Sequence, residues 1–135
     1  MGFLGTTAPL LVDVNLILQY LTLILLIVGY VKRKPLKTHG YIMLLVLLIG
    51  ILTTFAVMAP SLLPTAAIFG VAVFGHAAAG TIAMLLGVLF TYRFVIALRN
   101  EQPLSCGKKR NMRIALILWI VLVLFGTMIY LSLYL

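Results

Sequence analysis

Two histidines, two acids and one cysteine are nearly all the chain offers for acid–base, nucleophilic or metal chemistry. His76 sits in Phe74-Gly75-His76-Ala77-Ala78-Ala79-Gly80. Gly75, Ala79 and Gly80 would let a second helix, or a flat cofactor, come close. One reading is a neutral histidine bonded across a Gly/Ala packing seam. The other is an axial haem ligand, since imidazole commonly holds haem iron. Packing alone accounts for the small residues, so the first is preferred. His39 and Met43 follow at i, i+4, and imidazole beside a thioether suits copper or haem iron. Two ligands do not complete a site, however. The plainer reading makes His39 an interfacial residue beside Lys37, with Met43 in packing. His76 and His39 are thus the cofactor candidates, haem b is the cofactor they would take, and no separate metal site is expected.

Asn15, Gln19 and Thr22 follow i, i+4, i+7 spacing and form one polar stripe on a helix. A polar group in hydrocarbon needs a partner or a task. Interhelical hydrogen bonding, typically worth about 0.6 kcal/mol each in a membrane bundle, is preferred over a lining for a ligand or quinone head group. No CxxC, HExxH, Walker lysine motif or nucleophile–base pair is present. The chain is therefore not expected to be an enzyme by itself.

The elements that position these residues follow from composition. Of 135 residues, 64% are hydrophobic and 9% charged, whereas soluble domains carry roughly a quarter charged residues. A soluble helical bundle would need polar outer faces, which these segments lack. The expectation is one all-α integral membrane domain over residues 1–135. A span needs about 20 apolar residues. The first covers about 10–31, with Asp13 placed to cap its amino end, and Lys32-Arg33-Lys34-Pro35 stops it. The stretch from Thr38 to Tyr92 is uncharged and would be about 80 Å long as one helix, so it must turn back. Ala59-Pro60-Ser61-Leu62-Leu63-Pro64-Thr65 holds two prolines, and the turn is placed there. The second and third spans then cover about 38–59 and 65–98, and the fourth about 111–134.

All ten Lys/Arg fall in 32–37 and 93–113, which accounts for the net charge of +8 without nucleic acid. Basic loops face the cytoplasm, so both termini are expected outside and loops 1–2 and 3–4 inside. Cys106 then lies in a reduced compartment. No basic residue precedes the first apolar run, so a cleaved signal is not expected. Trp119, Tyr130 and Tyr134 suit membrane surfaces, although Trp119 fits equally among the helices. On this layout His76 lies about 16 Å below the outer end of its helix, more than 10 Å from the level of His39. Two nitrogens on one iron are only about 4 Å apart. One haem cannot use both, although two protomers could share a haem through their His76 residues.

The order of landmarks resembles the small prokaryotic membrane proteins of domain-of-unknown-function family 420, the YozB/CtaM-like group. Asn15 and Gln19 precede Gly29-Tyr30 in the first span, and His39-Gly40-Tyr41-Ile42-Met43 opens the second. His76 matches a histidine in the third. Met112-Arg113, Trp119, Gly126-Thr127 and Tyr130-Leu131-Ser132-Leu133-Tyr134 match the last. Family members often carry further histidines where this chain has Met58-Ala59-Pro60 and Lys109-Arg110-Asn111. The resemblance implies a part in building haem–copper terminal oxidases, or association with respiratory complexes, in a prokaryotic cell membrane. The leading expectation is thus a non-catalytic membrane subunit or assembly factor that packs against partner subunits in the lipid bilayer. The helix 1 stripe and the small-residue face around His76 would be its working surfaces. The alternatives are a b-type cytochrome using His76 and a small transporter.

Overall fold

A computed structural model describes residues 2–135. Four helical spans are each long and apolar enough to cross a membrane. They are α1 (Leu10–Val31); α2 (Leu36–Thr53), continued by a π turn (Thr54–Met58) and α3 (Ala59–Phe69); α4 (Val71–Arg99); and α5 (Lys109–Tyr134). Each span packs on its chain neighbours, and α1 closes the ring against α5. The order is therefore up-down-up-down. Large apolar side chains such as Leu21, Ile24, Leu52, Leu85, Ile117 and Val121 are exposed around the outside. Water would penalise such a surface and lipid does not. The chain is a multi-pass membrane four-helix bundle.

The turn between the second and third spans is not at the paired prolines. Helix continues through Pro60 and Pro64, and the chain reverses at Gly70. The expected boundaries of 38–59 and 65–98 are thereby corrected to Leu36–Phe69 and Val71–Arg99. Two local devices explain the difference. A proline inside a helix lacks its N–H and crowds the carbonyl four residues back. Here the π turn widens the helix just before Pro60, with the Ala59 N–H reaching back to the Thr54 carbonyl. The Ser61 hydroxyl donates to the Met58 carbonyl at 3.1 Å. The reversal itself uses Gly70 at φ 57°, ψ −128°, a backbone conformation that L side chains rarely adopt. A Cβ there would meet nothing within 4 Å, so conformation rather than crowding requires the glycine.

Two ends result. Loops 32–35 and 100–108 share one, where Tyr30, His39, Phe90 and Cys106 meet around one cavity. All ten Lys/Arg are at this end. At the other, the Thr7 N–H donates to the Tyr134 carbonyl at 3.2 Å, and the chain reverses between α3 and α4. Among the described residues α3 packs on the π turn and α4 but on neither α1 nor α5. At about 51 Å the second span exceeds an average hydrocarbon core, and the excess forms this apolar hairpin tip.

Candidate functional site

His39 begins the second turn of α2 and is 3% exposed. Its Nδ1 lies 2.7 Å from the Gly29 carbonyl oxygen of α1. A carbonyl only accepts, so Nδ1 carries the proton and donates. Nε2 is then left with its lone pair, buried and without a partner among the described residues. His39 is therefore not a plain interfacial residue beside Lys37; it is a buried ring locked between α1 and α2. α2 and α4 also meet tightly here because Gly40, the next residue, faces Phe94 of α4, and a Cβ at Gly40 would overlap that ring. Phe94 is 1% exposed and meets Tyr41 edge-on, with ring centroids 5.6 Å apart.

Beside His39 is a cavity of about 90 Å³ that draws its walls from all four spans and the 100–108 loop. Met43, Met112 and Cys106 line it together with His39. Cys106 is a free, buried thiol, and burial pushes its pKa up. Trp119 also lines the cavity and lies against Gly50, which settles it among the helices. Sequence reasoning paired His39 with Met43 alone, through helical spacing. Cys106 and Met112 join them only by tertiary packing.

His76 is not part of this cluster. Its level on α4 is eighteen residues before Phe94, which packs on Gly40, so the two histidines are about 27 Å apart along the bundle axis. The shift of the turn to Gly70 enlarges the expected separation, and a haem bridging His39 and His76 is excluded. His76 faces α5 instead. Its ring lies 5.6 Å from that of Phe125 with a 31° tilt, and a Cβ at Gly126 would stand 3.4 Å from its Cε1. His76 Nδ1 is buried without a partner among the described residues. Gly75 and Gly80 face open space, with nothing within 4 Å of a built Cβ, and Ala79 is half-buried. The close-packed seam expected across these glycines is not formed within the chain: His76 uses Gly126 rather than the small residues of its own helix.

No family model, curated protein or solved structure matches this chain.

The helix 1 stripe is largely occupied internally. Gln19 Nε2 donates to the Thr53 hydroxyl of α2 at 2.9 Å. Thr53 in turn donates back to its own helix, with the Ile49 and Gly50 carbonyls at 3.0 and 3.1 Å. Thr22 is fully buried and donates to the Gln19 carbonyl at 2.7 Å. Asn15 Oδ1 is buried without a partner among the described residues. The stripe is thus a seam between α1 and α2 at Gln19, just before the π turn, rather than an open lining.

Asp13 makes no helix cap. It is 0% exposed and ties three segments together. Its carboxylate accepts from the Leu4 N–H at 3.1 Å and from the Thr6 hydroxyl at 3.4 Å. The Tyr130 hydroxyl of α5 donates to it as well. A carboxylate satisfied by several donors can be buried where a lone one could not. Tyr130 is correspondingly a buried clamp near the carboxyl end of α5. Neither role had a signal in helical spacing.

Proposed function

We propose that the chain is a non-catalytic subunit or assembly factor of a respiratory complex of the haem–copper oxidase type, in a prokaryotic cell membrane. It acts by lateral packing against partner subunits, with both basic loops in the cytoplasm. The respiratory partner is supported by the resemblance carried by His39-Gly40-Tyr41-Ile42-Met43, His76 and the last-span landmarks. The packing is supported by one observation above others. Gly75 and Gly80 lie open on α4, so a foreign helix could approach its backbone closely there. The neighbouring hairpin tip adds unpartnered apolar surface, with Leu63 73% and Val71 85% exposed.

Purification in mild detergent, followed by mass spectrometry of the companions, tests this reading. Oxidase or other respiratory subunits should copurify, and Gly75→Leu with Gly80→Leu should release them while the bundle stays folded. Companions drawn from elsewhere, or none, would reject it. The second reading, a b-type haem at His76, is supported by the buried and unpartnered Nδ1. It requires a reduced-minus-oxidised haem band that His76→Ala abolishes, and a colourless protein rejects it.

A further inference from the structure

We propose that the cavity at the basic end is a binding site for a soft monovalent metal ion, copper(I), with His39 Nε2, the Cys106 thiolate and the thioethers of Met43 and Met112 as its donors. This goes beyond the respiratory reading and does not rest on it.

His39 is the starting observation. Its ring is 97% buried and fixed by the bond from Nδ1 to the Gly29 carbonyl. An acceptor left unpaired in such a place costs free energy and calls for an explanation. Metal-bound histidines are held in this way, with the second ring nitrogen donating to a carbonyl or carboxylate. The second observation is independent of the first. Apart from His39, the chain has six Met, one His and one Cys, and three of these eight donors line this one cavity. The cavity takes seventeen of 135 residues, so an even spread would place about one donor there.

The donor types choose the metal. No carboxylate lines the cavity. Among the described residues no three His, Cys, Asp or Glu side chains group around a point. Hard and borderline divalent ions are therefore short of ligands, whereas thiolate with thioether selects copper(I). Charge agrees. One monovalent cation with one thiolate makes a neutral site, which an apolar wall tolerates, while a divalent ion would leave an unbalanced charge in low dielectric. Binding forms a copper–sulfur bond and expels the Cys106 proton to solvent, and the oxidation state of the metal does not change.

The test titrates the full-length protein in detergent with copper(I), without oxygen and against a chromophoric copper(I) chelator. X-ray absorption then reads the ligand atoms. One copper per chain should withstand the competition, with sulfur dominating its shell and a nitrogen contribution that His39→Ala removes. Losing even an outer-shell partner costs a metal site roughly 10–100-fold in affinity, so Cys106→Ser should weaken binding at least about tenfold. Met43→Leu with Met112→Leu keeps core volume and fold, which helix content and elution position verify, and should weaken it similarly. Wild-type protein that retains no copper overturns the proposal. So does equal retention by the wild type, Cys106→Ser and the double leucine variant, or zinc bound in place of copper(I).

Discussion

Gln19 and Thr53 show how a polar pair in a membrane bundle is to be weighed. The bond joins α1 to α2 at 2.9 Å, while Thr53 keeps its own helix carbonyls as partners. Gln19→Leu therefore leaves no orphaned donor behind. Its expected cost is about 0.6 kcal/mol, measured as unfolding in detergent against the wild type. A loss above about 2 kcal/mol would mean that the stripe carries more than one bond's worth of work. Asp13 differs, because its three donors come from the terminal segment and from α5. Tyr130→Phe removes one of them and unties α5 from the carboxylate. The expected outcome is a lower thermal midpoint with faster amide exchange over residues 2–9; unchanged exchange there would show that the clamp does not hold the segment. The i, i+4 spacing of Asn15 and Gln19 was readable in the sequence. Which residue on another helix answers each of them was not, since helical periodicity reports a face and says nothing of its partner.

At the level of the elements, the long uncharged stretch dictated a reversal but did not mark where. Two prolines are the louder signal, yet a π turn and the Ser61 hydroxyl absorb them, and a single glycine makes the turn. The two accounts predict opposite stabilities. Gly70→Ala should cost about 1–3 kcal/mol, because Ala is strained at that backbone conformation. Pro60→Ala and Pro64→Ala should be neutral or stabilising, since Pro is about 3 kcal/mol worse than Ala inside a helix. A turn built on the prolines would reverse that ranking in thermal unfolding. Gly40 is a second element-level constraint. Gly40→Ala must displace the Phe94 ring, and overpacking of this kind costs typically 1–3 kcal/mol. A stability within experimental error of wild type would show that α2 and α4 can slide apart there freely.

For the molecule as a whole, the up-down-up-down order puts all ten Lys/Arg at one end. In a Cys106→Ser background, a membrane-impermeant thiol reagent should reach Lys34→Cys and Lys109→Cys from the same side. Gly5→Cys should react from the other. Labelling of the two basic loops on opposite faces would overturn the topology. The sequence by itself determined this layout: apolar run lengths near 20 residues, separated by charge, have few other solutions in a bilayer. It also set the number of spans and the small residues around His76. Tertiary structure decided what meets what. It placed the reversal at Gly70, turned Asp13 into a clamp, left Gly75 and Gly80 open, and gathered His39, Met43, Cys106 and Met112 around one cavity. Those outcomes depend on contacts between residues distant in the chain, fixed by the packing of whole helices, and local pattern carries no record of them.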